Sequence, residues 1–370
     1  MAHLFADVSA HGFGHLAQAA PVLNRLAEVL PGLRLTLRSG LPGEKLRQRI
    51  RAPFVHIAAA SDFGYLMIDA LRIDLAATAA AYRTAHADFA ARVAAEAALL
   101  RELRADAVFA DVSYLPLAGA ALAGIPAAAL CSLNWADLFL HYFGDAAWAA
   151  PIHAEMLAAY RSATFLRTTP GMPMPSLDRQ LVIGPIASHG KERRAELLGK
   201  LGAGEAAPGS RIVLLALGGI PTRLPVEDWP VLPDTRWLVP AAWNIQRDDM
   251  HAFEPLGWEF ADLLRSVDAV VTKPGYGTFA EAVCNGTAVI YQRRDDWPEQ
   301  EYLIDWLQAN GRCAAIAAAD LAAGNLGAAL EACLSAPAPG YAADAAHAAP
   351  PAPSFDGAEM AARHLAALLR

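Results

Sequence analysis

Cysteine is scarce in this chain of 370 residues, and the four present (Cys131, Cys284, Cys313, Cys333) show no Cys-x-x-Cys spacing. Three sit in apolar strand-like or helix-like surroundings, so they read as small core hydrophobes, and neither a disulfide framework nor a zinc ribbon is expected. Basic charge is also short: 30 lysines and arginines face 38 acidic residues, for a formal net charge of −8. Nucleic acid needs a basic face, which argues against that class of partner. No apolar run is long enough to span a bilayer. Met1-Ala2-His3 leads straight into a strand, without the basic start and apolar stretch of a signal peptide. A soluble, cytoplasmic protein is the expectation. No Asp-x-Asp triplet stands where it would hold a divalent ion, and the adjacent Asp295-Asp296 would point in different directions on an extended segment. Neither a metal nor a cofactor is expected.

What is present is a globular composition, 55% apolar and 18% charged, over a length that suits two domains. Strand-like runs over 3–8, 33–37, 54–58, 107–110 and 127–131 alternate with helical periodicity over 16–30, 75–104 and 116–123. A second alternation begins near Arg211: strands over 212–217, 237–240, 268–272 and 287–292, with helices over 257–266, 277–285 and 299–310. Such alternation predicts α/β domains with parallel sheets covered by helices. The expected division is a first domain over 1–187, a polar, glycine-rich hinge over 188–210, and a second domain over 211–353 that ends in a low-complexity connector (336–353). A final amphipathic helix follows over 354–370.

The most informative stretch is 270–283, Val-Val-Thr-Lys-Pro-Gly-Tyr-Gly-Thr-Phe-Ala-Glu-Ala-Val. A β-branched run ends in a turn with Gly275 and Gly277, and a helix pattern follows that carries Glu281 about one turn inside. Unpaired N–H groups and the positive end of the helix dipole suit a diphosphate there. A carboxylate one turn on can accept from two vicinal ribose hydroxyls. A plain glycine turn joining strand to helix fits the same residues.

This segment resembles the donor-binding motif of GT-B glycosyltransferases, which in the plant secondary-metabolite enzymes runs His-Cys-Gly-Trp-Asn-Ser-Thr-x-Glu. Lys273 stands at the motif's histidine, Gly275 at its glycine, Tyr276 at its tryptophan, Thr278 at its serine and Glu281 at its glutamate. The resemblance implies phosphate contact at Lys273, Gly275 and Thr278 and ribose contact at Glu281. Lys273 and Gly277 depart from the plant histidine and asparagine. A closer similarity is to the sugar-binding N-terminal half of the L-arabinokinases and their bacterial relatives, which carry a Gly-Tyr-Gly-Thr turn and a later segment beginning Arg-Arg-Asp, like 293–295 here. Their galactokinase-type kinase domain has no counterpart in this chain. The implied fold is GT-B, two Rossmann-like domains with parallel sheets facing across a cleft.

His11-Gly12-Phe13-Gly14-His15 follows the first strand, where ligands of open α/β sheets bind. Gly14-His15 matches the Gly-His of the first GT-B loop, which implies a catalytic base at His15, with His11 and Gly14 on the acceptor side. A histidine titrates near neutrality and suits proton removal from a hydroxyl. Asp111, at a strand end, either orients that base or caps the next helix. Asn134-Trp135-Ala136-Asp137 is similar to an arabinokinase-like Asn-Phe-x-Trp-Asp stretch, and Trp135 is either an acceptor platform or core. Gly218-Gly219-Ile220 is similar to the glycine loop that faces the donor phosphates, with Thr222 in place of a following serine. Glu299-Gln300 stands where the plant enzymes bind the donor sugar's hydroxyls, and these residues equally suit the first turn of a helix after Pro298. The function implied is inverting, metal-independent transfer of a hexose-type sugar from a nucleotide sugar, most simply UDP-linked, to an unknown acceptor hydroxyl. The rivals are a nucleotide-sugar hydrolase or 2-epimerase on the same fold, and a non-catalytic sugar-nucleotide-binding module.

Overall fold

The computed structural model describes residues 2–201, 210–219, 222–336 and 353–370. Part of the expected hinge (202–209), Ile220 and most of the expected connector (337–352) lie outside the described residues. The chain forms two compact units. The first comprises Met1–Ile68, Ile73–Ile186 and Ser354–Arg370, and the second Asp69–Arg72 and Ala187–Pro353.

In the first unit seven strands form one parallel sheet: β1 (His3–Val8), β2 (Arg34–Arg38), β3 (Val55–Ile57), β4 (Ala107–Asp111), β5 (Ala127–Cys131), β6 (Thr164–Thr168) and β7 (Gln180–Ile183). Their spatial order is β3-β2-β1-β4-β5-β6-β7. The central β1 is buried along its whole length, as a strand covered on both faces must be. One part of its core gathers Phe5, Leu100, Ala105, Val108 and Ala120 between sheet and helices. The C-terminal helix Gly357–Leu368 packs on helix Phe13–Val29, with an ion pair between Arg25 and Glu359 at the seam.

The second unit has six parallel strands: β8 (Arg211–Leu215), β9 (Thr235–Val239), β10 (Met250–Ala252), β11 (Ala269–Thr272), β12 (Ala288–Tyr291) and β13 (Cys313–Ala315). Their order is β10-β9-β8-β11-β12-β13. Val213, Leu215, Trp237, Val271 and Ile290 lead its core, with Leu321, Leu326 and Leu330 covering one face.

Both sheets reverse strand order once, between β1 and β4 in the first unit and between β8 and β11 in the second. At such a switch point the loops leave in opposite directions and open a crevice at the strands' carboxyl ends. The first crevice receives the loop before His15 and Asp111 itself. The second receives the loop at Gly218 and the turn at Lys273.

Several elements differ from expectation. The helical region expected over 75–104 is two helices, Leu75–His86 and Phe89–Leu103. Asp88 breaks the run because its side chain accepts from Ala91 N at 3.2 Å, capping a new helix. Asp74 caps the first in the same way, at 2.9 Å to Ala77 N. The strands β6, β7, β10 and β13 were not expected. The last two have three residues each, too short to show a period.

Candidate active site

The register of the first sheet builds the site. Val8, the last residue of β1, pairs with Asp111, the last of β4, and Ser9 N donates to the Asp111 carbonyl at 2.7 Å. The chain turns through Gly12 into helix Phe13–Val29, whose first turn carries His15. His15 Nδ1 then lies 2.9 Å from Asp111 Oδ1. Asp111 is fully buried, and His15 is 7% exposed. In the neutral ring with Nδ1–H donated to Asp111, Nε2 carries a lone pair; Nε2 makes no hydrogen bond among the described residues. Nothing lies within 4 Å of where a Cβ would stand on Gly12 or Gly14, so the loop is open at both glycines.

Burial pulls the His15 pKa down, but the hydrogen bonds to Asp111 and Cys131 and their charge override it and hold it well above the usual imidazole range. Burial pushes the Asp111 carboxyl up to about 6, against the opposing pull of His15. The raised His15 pKa favours the imidazolium beside Asp111, so the lone pair on Nε2 belongs to the form present above that pKa. Asp111 Oδ2 is buried without a hydrogen-bond partner among the described residues.

The wall of the site is aromatic. The Trp135 ring lies edge-on to His15 and His11, at centroid distances of 5.6 and 5.2 Å. Trp135 is completely buried and its indole N–H donates to Asp62 Oδ2 at 2.7 Å, so the ring braces the histidines instead of offering an open platform to an acceptor. Asn134 is likewise spent within the protein, capping helix Trp135–Phe143 by accepting from Asp137 N at 2.8 Å. His11 N donates to Ser9 Oγ at 3.3 Å. Gly64, at φ +57°, packs so tightly that a Cβ there would stand 2.9 Å from the rings of His11 and Trp135.

Asp62 and Cys131 belong to this site and were missed from the sequence. Asp62 sits in an irregular loop that gives no periodic signal, and burial raises its pKa. Cys131, the last residue of β5, places its sulfur 3.8 Å from His15 Nδ1. Its position at a strand end beside the switch point was the available signal. Under the site, a buried network supports the sheet: Arg38 donates to both oxygens of Glu96 at 2.7 and 2.8 Å and also to Asp7. Asp7 in turn accepts from Ser61 Oγ at 2.7 Å.

In the second unit Lys273 leaves β11 and extends over two glycines. A Cβ on Gly218 would meet its Cε at 3.5 Å, and one on Gly275 would meet its Nζ at 3.6 Å. The amine therefore lies between the loop after β8 and the N-terminus of helix Tyr276–Asn285, which Gly275 caps. Gly218 has φ +96°, a conformation that glycine alone adopts cheaply. Burial, then the charge of Arg294, lowers the Lys273 pKa to about 7, with Glu299 opposing. Tyr276 and Gly277 are buried in the first helical turn, Thr278 is half-buried, and Glu281 follows with 1% exposure.

The loop after β12 is self-braced. Both ends of the Gln300 amide bond the Arg294 backbone, Oε1 accepting from N at 2.9 Å and Nε2 donating to O at 3.1 Å. The Arg294 guanidinium stacks 3.9 Å over the Trp297 ring, and Trp297 Nε1 donates to Glu299 Oε2 at 3.0 Å. Glu299 Oε1 is buried without a hydrogen-bond partner among the described residues. Gln300 thus holds the loop, while Glu299 keeps one oxygen in reserve. The Thr222 hydroxyl accepts from Ala70 N at 3.1 Å, and Gly219 ends the described part of the glycine loop.

These two units define the GT-B fold. The glycotransferase of kitacinnamycin matches with a TM-score of 0.60 at 16% identity, covering 99% of this chain and 95% of that one. The glycosyltransferase VinC, solved in complex with dTDP, matches at 0.57 and 18%, covering 99% and 96%. A UDP-N-acetylglucosamine 2-epimerase matches at 0.52 and 12%, covering 97% and 94%. No protein-family model matches the chain. In sequence it is similar to L-arabinokinase of Arabidopsis thaliana, 28% identical over 320 residues, which is 81% of this chain and 29% of that protein. The chain therefore spans under a third of that relative's length. No helix of the described residues is long and apolar enough to cross a membrane.

Proposed function

We propose that the protein is an inverting, metal-independent glycosyltransferase that moves a hexose-type sugar from a UDP-linked donor to an acceptor hydroxyl. The observation that carries this reading is the His15–Asp111 pair, whose imidazole bonds the carboxylate through Nδ1 and keeps Nε2 for a proton. The acceptor O–H gives its proton to Nε2 as the oxygen attacks the anomeric carbon. The bond from that carbon to the diphosphate breaks, and the configuration inverts. Asp111 fixes the tautomer and stabilises the imidazolium that forms.

Donor binding belongs to the second unit. The diphosphate faces the N–H groups that open helix Tyr276–Asn285, and Lys273 supplies the counter-charge that departing phosphate needs without a metal. Thr278 and the backbone at Gly218 and Gly219 complete the phosphate site, Glu281 takes the ribose hydroxyls, and Glu299 takes the sugar. The dTDP in the VinC structure and the UDP-N-acetylglucosamine in the epimerase's name both support a nucleotide-sugar ligand for this fold.

The test is turnover of UDP-sugars with and without candidate acceptors. His15→Ala should lower turnover about 10²–10⁴-fold, the usual worth of a positioned base, while nucleotide affinity stays unchanged. Asp111→Asn should lose less, and the double variant far less than the product of the singles, because the two act as one unit. Unimpaired transfer by a folded His15→Ala variant would remove the base from this site. Release of free or epimerised sugar without acceptor would replace transfer by hydrolysis or epimerisation.

A further inference from the structure

The same pair has a third neighbour that base catalysis does not use. His15, Asp111 and Cys131 each present one ligand atom, and these atoms all lie within 4.8 Å of one another. His15 Nδ1 is 2.9 Å from the carboxylate and 3.8 Å from the sulfur. A tetrahedral zinc, with N, O and S ligands at about 2.0–2.3 Å, keeps them roughly 3.3–3.7 Å apart. The short side needs to open by a few tenths of an ångström, and the Asp111–Cys131 side, which lies within 4.8 Å, has to settle into the same range. Imidazole, carboxylate and thiolate together are a borderline-soft donor set, which selects zinc-like ions over magnesium or calcium.

The surroundings fit a ligand cluster. Gln18 Nε2 donates toward Cys131 Sγ at 3.7 Å, and Thr168 Oγ1 donates to Gln18 Oε1 at 3.5 Å, so the amide turns its N–H to the sulfur. That is an outer-shell contact of the kind metal ligands receive. Asp111 Oδ2 has no partner among the described residues and remains for a bound water or a second contact.

We propose that His15, Asp111 and Cys131 form a binding site for a zinc-like divalent ion. On binding, the Cys131 thiol gives up its proton to solvent, and the imidazole coordinates through Nδ1 with its remaining proton on Nε2. If the imidazole starts protonated, a second proton leaves. Nε2–H then has no lone pair. The consequence for turnover rests on the role proposed for His15: an occupied site has no base, and the ion acts as an inhibitor that competes with the proton.

Cobalt(II) titrated into the protein without substrate is the direct probe. The expected result is one ion per chain with a thiolate-to-cobalt charge-transfer band and the intense visible bands of a tetrahedral site. Cys131→Ser should remove the charge-transfer band and weaken binding at least tenfold, since losing even an outer-shell partner of a metal ligand costs roughly 10–100-fold. Cys284→Ser, which deletes a sulfur 3.4 Å from His189 Nδ1 and hence a rival surface site, should leave the band intact. X-ray absorption of the zinc-loaded wild-type protein reads the same answer without a variant: one sulfur among nitrogen and oxygen neighbours. No band, a band that survives Cys131→Ser, or a zinc shell without sulfur overturns the site. A confirmed site in a protein whose turnover zinc leaves untouched would instead sink His15 as the base.

Discussion

At the scale of residues, Lys273 is the side chain whose charge state the fold has altered most usefully. Burial and Arg294 bring its pKa to about 7, so near neutrality the amine is partly neutral before any ligand arrives. A diphosphate beside it restores the proton. Nucleotide binding at pH 8 should therefore take up most of a proton, measured as the dependence of calorimetric heat on buffer ionisation enthalpy. Affinity should be highest below pH 7 and fall as pH rises through that value, and Lys273→Met should abolish both effects. A buffer-independent heat in the wild type would place the phosphates elsewhere. Glu281 gives a second reading of the same site: Glu281→Ala should weaken nucleotide-sugar affinity by about 1.5–3 kcal/mol, the range for a set of charge-assisted hydrogen bonds. Its helix should survive, since alanine is a good helix former. Calorimetry with equal affinities in a folded variant would detach the ribose from this helix.

At the scale of elements, the strand-to-helix turns were legible and the irregular loops were not. Helix Tyr276–Asn285 starts where Gly275 ends the turn, and the loop before His15 follows β1, because glycine and apolar periodicity mark both boundaries in the sequence. Asp111 was legible as a strand end, and its bond to His15 is a finding of the register between β1 and β4. Trp135 shows the limit: a sequence cannot say that an aromatic beside polar residues is sealed by Asp62, Gly64 and two histidines. Gln300 shows it again, because its amide is consumed by the backbone of a residue six positions earlier. The loop that carries Gly64 has no tolerance at that point. Gly64→Ala adds a Cβ 2.9 Å from two rings at φ +57°, and should destabilise by about 1–3 kcal/mol in chemical denaturation. An unchanged midpoint would show that the ring cluster yields freely.

At the scale of the whole molecule, each unit carries its own sheet and its own switch point, so donor binding should be readable on one unit by itself. UDP at a hundred times its dissociation constant should stabilise the native state by about 2.7 kcal/mol, visible as a raised melting temperature. Hydrogen exchange should slow at 217–219 and 273–281 while 9–15 remains unaffected. Protection confined to 9–15 would assign the nucleotide to the wrong unit.

Residues 354–370 return to the first unit after the entire second unit has been made, and they cover helix Phe13–Val29, which carries His15. During synthesis on the ribosome, helix Phe13–Val29 therefore lacks this cover until the segment after the second unit has been made. The order of translation is not the order of completion. The second unit has every strand it needs before the first is closed, and the helix that carries the histidine proposed as the base is covered only after the donor unit has been made.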